Sequence, residues 1–69
     1  EPFTTAFKME KYGDDTEAVS IHYFFNYAEV EQFLYFDTQI AYGKSYEYKI
    51  KVINGMVRDG ELLFIEEPF

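Results

Sequence analysis

The sequence predicts an all-β domain built from an antiparallel sheet, and three observations support this fold class. Aromatic residues are abundant, with 8 Phe and 7 Tyr making up 22% of the chain, and together with Val, Ile and Thr they fit a pleated, half-buried surface. Apolar and polar residues alternate in several short runs, which is the period of a strand with one buried face. Turn-forming residues separate these runs at short, even spacing, which is typical of a β-sandwich or part of one.

Two runs near the start of the chain predict the first two strands. In residues 6–12, Phe7 and Met9 lie on one side and charged residues on the other. A glycine and two aspartates then supply a turn. The second strand is predicted over residues 18–25, and four of its residues share one apolar side: Val19, Ile21, Tyr23 and Phe25.

The other strands are predicted over residues 33–37, 45–53 and 62–65. The run 33–37 is dense in aromatic residues, and residues 26–32 before it fit either a short helical turn or a wide connection. The run 45–53 has the clearest alternation, and its inward positions are Tyr46, Tyr48, Ile50 and Val52. Asn54-Gly55 and Arg58-Asp59-Gly60 then supply turn signals before the last strand.

Charge and composition exclude several classes of function. The chain has 13 acidic and 6 basic residues, so its formal net charge is −7. It has no cluster of Lys or Arg for phosphate contacts, and its acidity disfavours an anionic membrane surface. There is no cysteine, which excludes disulfides, thiolate metal sites and cysteine nucleophiles. No apolar run approaches the roughly 18 residues that span a membrane. The expected partners are therefore proteins, and not nucleic acid or a membrane interior.

We predict no catalytic residue, no cofactor and no metal ion. His22 is the only histidine and lies on the more polar side of its predicted strand, while Ser20 and Ser45 have no evident base partner. The acidic turns at residues 14–17 and 59–61 are interpreted as solvated charge. A weak calcium site is the alternative, because Ca²⁺ takes six to eight oxygen ligands.

The residues from 35 to 55 resemble a known family. They read Tyr-Phe-Asp-Thr-Gln-Ile-Ala-Tyr-Gly-Lys-Ser-Tyr-Glu-Tyr-Lys-Ile-Lys-Val-Ile-Asn-Gly. An aromatic run ends in Asp-Thr, an aliphatic residue follows two positions later, then a glycine after three more and a tyrosine after another three. This pattern resembles the E–F strand region of fibronectin type III domains. The resemblance implies an immunoglobulin-like β-sandwich with Ile40 in the core, Gly43 in the turn and Tyr46 as the tyrosine of the corner.

The resemblance also implies that the sandwich is incomplete. It assigns residues 6–12 to strand C, 18–25 to strand C′ and 62–65 to strand G, so strands A and B have no counterpart. Tyr42 and Lys44 depart from the proline and threonine that the family often has, but both lie in the turn. We expect residues 1–69 to form a single domain or fragment, completed by the rest of a longer chain or by a neighbouring subunit.

One predicted interaction site is an aromatic run that no single strand face can bury. It consists of Tyr23, Phe24, Phe25 and Tyr27. A run that is apolar on both sides is either covered on both sides or turned toward a partner. Three explanations follow: burial under more of the same chain, contact with a neighbouring subunit, or a carbohydrate or peptide site. Carbohydrate is the least favoured ligand.

The second predicted interaction site is the connection between the last two strands. By analogy with related sandwiches, Met56, Val57 and Arg58 form the tip of a recognition loop. We therefore predict a non-catalytic structural or interaction module of a larger assembly. The aromatic-rich, cysteine-free composition favours a structural or decorating protein of a virus or phage particle. The alternative is a fibronectin type III spacer, or a ligand-binding accessory module, of a secreted or cell-surface protein.

Overall fold

A computed structural model describes residues 3–14, 16–40 and 43–69, with Ile40 described by its backbone alone. Along the chain these residues form β1 (Phe3–Tyr12), β2 (Ala18–Phe24), α1 (Tyr27–Ile40), β3 (Glu47–Arg58) and β4 (Glu61–Pro68). The four strands make one antiparallel sheet in the order β2-β1-β3-β4. The predicted β-rich, antiparallel class is confirmed. The sandwich stays a prediction, because the described residues contain one sheet only.

Helix α1 joins two strands that lie on either side of β1. Both β2 and β3 pair with β1 in antiparallel fashion, so they run parallel to each other. The unit β2-α1-β3 is therefore a split βαβ unit, with β1 inserted between its two strands. The β3–β4 hairpin turns at Asp59 and Gly60, whose φ angles are 52° and 78°. Two consecutive positive φ angles match the twist of the flanking strands, and Asp-Gly is a strong signal for such a turn.

The strand predicted over residues 33–37 is wrong, because these residues lie within α1. Val30, Phe33 and Asp37 recur at helical spacing and form the side of α1 that contacts the sheet. Asn26 caps the helix: its side-chain oxygen accepts a hydrogen bond of 2.9 Å from the backbone N–H of Glu29. The Glu29 carboxylate in turn accepts one of 3.2 Å from the N–H of Phe25, an exchange close to a capping box.

The turn predicted at Asn54-Gly55 is also wrong, because β3 continues through both residues to Arg58. Gly55 is buried and pairs with Phe3 of β1 on one side and with Phe64 of β4 on the other. Two partner strands thus hold this dipeptide in an extended conformation. The predicted strand 45–53 is consequently longer than expected, and the connection that follows it is the two-residue turn at Asp59-Gly60.

The two faces of the sheet differ in what covers them. Phe7, Met9 and Lys11 of β1 face α1, in register with rows from β2 and β3. The β1 and β3 faces are those that their alternation predicts. The apolar side of β2 is reversed: Ser20, His22 and Phe24 face the helix. Val19, Ile21 and Tyr23 are exposed on the open side.

The core under α1 is small for a chain of this size. Among the described residues, Met9 and Val30 are the only large hydrophobic side chains that are fully buried, and thirteen are exposed. The accessible surface is 5402 Å², against about 4500 Å² for a compact monomer of this mass. The radius of gyration is 14.3 Å, against about 11 Å for a compact chain of this length. The fold is flat and extended, so much of its apolar surface stays uncovered.

Replacing Gly55 with alanine is expected to destabilise the junction of β1, β3 and β4 by about 1–2 kcal/mol, because the added methyl group overpacks the site. A Cβ at Gly55 would lie 2.8 Å from the Phe3 ring and 3.0 Å from the Thr5 hydroxyl. Gly13→Ala is the matched control, since its Cβ would sit 3.5 Å from Val19, an ordinary contact. Urea unfolding of both variants measures the difference, and equal midpoints would contradict the close approach of Phe3.

Candidate interaction surfaces

An aromatic groove lies between the edge strand β2 and the outer side of α1. It has a volume of about 330 Å³, and its lining comprises Phe24, Phe33, Phe36, Glu29 and Gln32. The four helical residues are spaced at i, i+3, i+4 and i+7, so they share one side of α1. The rings of Phe24 and Phe33 lie 5.5 Å apart and form the floor. This groove can accept an apolar side chain.

The predicted aromatic run divides between the core and the surface. Phe24 packs against Phe33, and Tyr27 packs against Phe7 and Phe69 with ring centroids 5.7 and 4.8 Å apart. Tyr23 is exposed on the open face of the sheet, and Phe25 is 86% exposed at the β2–α1 connection. Phe24 and Tyr27 are therefore half-buried in contacts within this chain, whereas Tyr23 and Phe25 are exposed.

The predicted recognition loop is part of the hairpin instead of a loop tip. Met56, Val57 and Arg58 are the last residues of β3 and pair with Leu63, Leu62 and Glu61 of β4. Val57 and Arg58 are exposed and Met56 is half-buried. The described part of β1 pairs with β3 only as far as Gly55, so β4 is the only described strand beside these residues. The apolar residues of β4 that flank them are exposed on both faces: Leu62, Leu63, Phe64 and Ile65.

The three residues of the predicted tyrosine corner lie around the start of β3. Gly43 has a φ of 75°, a left-handed conformation that glycine adopts freely. The Tyr46 ring lies 4.2 Å from the Lys11 ammonium, a cation–π contact. Ile40 ends α1, and its side chain lies outside the described residues, as do Ala41 and Tyr42. The corner hydrogen bond therefore stays a prediction.

A charged cluster lies between the C-terminal half of α1 and the sheet. The Asp37 carboxylate lies 2.9 Å from the Lys11 ammonium and accepts a hydrogen bond of 2.5 Å from the Tyr48 hydroxyl. The bond from Tyr48 and the charge of Lys11 lower the pKa of Asp37 below its usual range. Burial and the bond to Asp37 raise the pKa of Tyr48 to about 12. The cluster joins α1, β1 and β3, and each of its groups has a partner.

A second charged network covers the middle of the open face. Glu10 is only 6% exposed, and its carboxylate lies 3.4 Å from the Lys8 ammonium and 3.2 Å from that of Lys51. The Tyr12 hydroxyl donates a further bond of 3.0 Å to it. Burial by itself raises the pKa of Glu10, but the bonds from Tyr12 and Lys51 outweigh it, and the pKa is lowered. The Lys8 ammonium also forms an ion pair with the Glu66 carboxylate of β4, at 3.1 Å.

Stability is expected to fall in alkali as the Tyr48 phenol ionises. The folded pKa of about 12 lies above the ordinary tyrosine value of about 10, so the folded state holds this proton more tightly. The stabilising contribution is complete below about pH 10 and is lost as the pH rises through about 12. Urea midpoints between pH 8 and 12 measure it, and Tyr48→Phe should flatten the decline. Tyr12, whose pKa the Glu10 hydrogen bond raises, retains part of the slope. An unchanged slope in Tyr48→Phe would contradict the assignment.

Two of the side chains considered for catalysis lie together: the Ser20 hydroxyl, for which the sequence predicts no base partner, is 3.2 Å from the Nε2 of His22. His22 lies on the helix-covered face beside the rings of Phe33 and Phe24, whose centroids are 4.5 and 6.4 Å from its own. Within residues 3–14, 16–40 and 43–69, no three His, Asp or Glu side chains converge on a metal-sized site. Asp15 of the first acidic turn lies outside these ranges.

Comparison with known proteins gives no relative. No protein-family model matches the sequence, and no curated protein and no solved structure shows significant similarity to the chain. Among the described residues, α1 is the only helix, and it is too short and too polar to cross a membrane.

Proposed function

We propose that this chain is a non-catalytic structural and interaction module of a larger assembly. One observation carries the proposal: thirteen large hydrophobic side chains are exposed while two are fully buried, counted over the described residues. Contiguous exposed apolar surface is costly in water and marks protein contacts in soluble molecules. The module is therefore completed by protein surface supplied from outside the described fold.

The β3–β4 hairpin is the larger of the surfaces that need cover. Leu62 and Phe64 lie on one face of β4 while Leu63 and Ile65 lie on the other, so both faces expose apolar side chains. Helix α1 lies over β2 and β1 and also contacts Tyr48 and Phe69. Residues 62–65 of the hairpin remain exposed. A neighbouring subunit that packs on the hairpin would bury both faces. A further part of the same chain is the alternative source of that cover.

We further propose that the assembly is a virion, with this chain as a structural or decorating element. The aromatic-rich, cysteine-free composition and the exposed apolar residues at both edges of the sheet support a chain held between neighbours. The alternative, a spacer or ligand-binding module of a secreted protein, folds on its own. A flat row of exposed aromatic side chains would favour a ligand-binding module. Here Tyr23 lies on the open face of β2 whereas Phe36 lies on α1, so these two exposed aromatic residues do not form one flat row.

Sedimentation and binding of the dye ANS by the chain test the proposed function. We expect ANS binding, and association that strengthens as salt screens the net charge of −7. Leu62→Lys should weaken both effects, because it places a charge in the exposed apolar part of β4. Gln39→Lys adds the same charge at an exposed polar position of α1 and is the matched control. A chain that binds no dye and stays monomeric at every salt concentration would contradict the proposal.

A further inference from the structure

The β2 edge of the sheet is open, and the aromatic groove lies directly beside it. Strand β2 is an outer strand of the described sheet, so one row of its backbone N–H and C=O groups faces away from β1. Such a row is a template for pairing with another strand. The groove lined by Phe24, Phe33 and Phe36 would lie under the side chains of a strand added there.

Strand β2 lacks the residues that protect sheet edges from pairing. Its sequence, Ala-Val-Ser-Ile-His-Tyr-Phe, contains no proline and no Asp, Glu, Lys or Arg. The opposite edge, β4, is different, because it carries Glu61, Glu66, Glu67 and Pro68. Charges and proline are the usual means by which an edge is kept from pairing. Of the two edges, β2 is the one built to accept a partner strand.

An added strand would find apolar surface on both faces of β2. On the open face, Val19, Ile21 and Tyr23 are exposed and form a row along the strand. On the helix side, the groove runs beside Phe24 and ends at Phe36, which is 59% exposed. Side chains of a strand alternate between faces. The side chains of a bound segment would therefore contact apolar residues on both faces of the sheet.

The charge around β2 defines the chemistry of the partner. From Tyr12 to Gly43 the sequence has six acidic residues and no Lys or Arg, whereas the rest of the chain has seven acidic and six basic residues. By sequence position, this stretch carries −6 and the rest of the chain −1. Lys11 of β1 neutralises Asp37, so the stretch together with this lysine still presents −5 to a partner. Like charge opposes a second copy of this chain at the β2 edge, and complementary charge favours a basic partner.

We propose that the β2 edge and the adjoining groove bind an extended segment of a different protein chain, with apolar residues at alternate positions and Lys or Arg at its flanks. The segment adds to the sheet beside β2 through main-chain hydrogen bonds and places an apolar side chain in the groove. This inference rests on the proposed interaction function and specifies the partner for one of its surfaces.

Titration of the isotope-labelled chain with a synthetic peptide tests the inference by amide NMR. The probe is a capped peptide of about nine residues, the length of an ordinary strand, which alternates threonine with valine and phenylalanine between paired lysines. One control peptide carries glutamates in place of the lysines, and another has a central proline. We expect saturable shifts in β2 and α1 with the lysine peptide, binding at least about ten-fold weaker with the glutamate peptide, and none with the proline peptide.

Two neighbouring aromatic residues supply a matched pair of variants. Phe36 lines the groove and Tyr35 does not, although their rings touch and they are 59% and 63% exposed. Phe36→Ser should weaken peptide binding about ten-fold or more, as loss of an aromatic anchor does. Tyr35→Ser should leave the affinity unchanged. Because both side chains are exposed, both variants should keep the far-ultraviolet circular dichroism of the parent chain.

The remaining outcomes separate this inference from the function on which it rests. Peptide shifts confined to β4, equal affinity for the glutamate peptide, or a dimer paired through β2 would each overturn it. A chain that binds ANS and associates but ignores the lysine peptide would overturn the β2 site and leave the interaction function standing. A chain that binds neither dye nor peptide would overturn both.

Discussion

Replacing Met9 with alanine is expected to unfold the isolated chain. Met9 lies at the centre of the helix-covered face, paired with His22 on one side and Ile50 on the other, and is 0% exposed. Truncating a buried methionine costs about 2–5 kcal/mol through lost transfer energy and the cavity left behind. A core in a domain of this size supplies about 3–5 kcal/mol in total.

Met9→Leu is the control for this prediction, because it keeps the volume and should cost less than about 1.5 kcal/mol. Circular dichroism at 25 °C and thermal melting distinguish the two variants. Val30, the other fully buried side chain, supports the same interface from α1. If Met9→Ala melted within a few degrees of the parent chain, the helix-covered face would not be the core of the fold.

Replacing Asp37 with asparagine is expected to destabilise the chain by about 2–3 kcal/mol, less than the roughly 3–5 kcal/mol of a fully buried ion pair because both partners are partly exposed. The substitution leaves the Lys11 ammonium without its counter-charge in a site where Lys11 and Asp37 are 16% and 14% exposed. It also replaces the carboxylate that accepts the hydrogen bond from the Tyr48 hydroxyl.

The matched control is Glu47→Gln, which removes the acidic partner of Lys49 in a pair that is largely exposed. Such surface pairs contribute about 0–1 kcal/mol. The folded pKa of Asp37 is lowered, so its contribution is present above the ordinary value of about 4 and is lost as the pH falls below it. Asp37→Asn should therefore lose less stability than the parent chain between pH 6 and 3. An equal cost for both variants would contradict the structural role of the cluster.

The alternation of apolar and charged residues correctly predicts which sides of β1 and β3 face inward, because each strand has one side rich in charge. Phe7 and Met9 alternate with Lys8 and Glu10, and Ile50 and Val52 with Lys49 and Lys51, so only one side of each strand could turn inward. Strand β2 has no such contrast. Its orientation is set by where Phe33 of α1 meets His22 and Phe24, a tertiary contact that alternation within β2 does not encode.

The helical alternative for residues 26–32 is confirmed by the start of α1 at Tyr27, but the sequence does not predict that the helix continues through residues 33–40. This error and the misplaced turn have different causes. Residues 33–37 are aromatic enough to resemble a strand, and the helical signal lay earlier, in Asn26 and Glu29 at capping spacing. Asn54-Gly55 is a strong local turn signal, but pairing on both sides keeps it extended. The sequence does predict the Asp59-Gly60 turn. It does not predict that Asn54 and Gly55 pair with β1 on one side and β4 on the other, because those partners are not their neighbours in the chain.

The candidate surfaces are only partly predictable from the sequence. Tyr23, Phe24, Phe25 and Tyr27 are predicted to be too apolar for one strand face to bury, but the division between packed Phe24 and exposed Phe25 depends on where α1 begins. The sequence does not predict the aromatic groove, because its pattern places Phe36 in a strand and not in a helix. Once residues 27–40 are helical, the spacing of Glu29, Gln32, Phe33 and Phe36 places all four on one side.

Equilibrium unfolding of the isolated chain in urea measures whether its own core is large enough for independent stability. We propose that the core is too small and that another protein surface completes the fold. We expect an unfolding free energy of about 3 kcal/mol or less, the lower part of the range for very small cores. A value well above about 5 kcal/mol, as in an ordinary independent domain, would contradict it and show that the exposed apolar surface needs no partner.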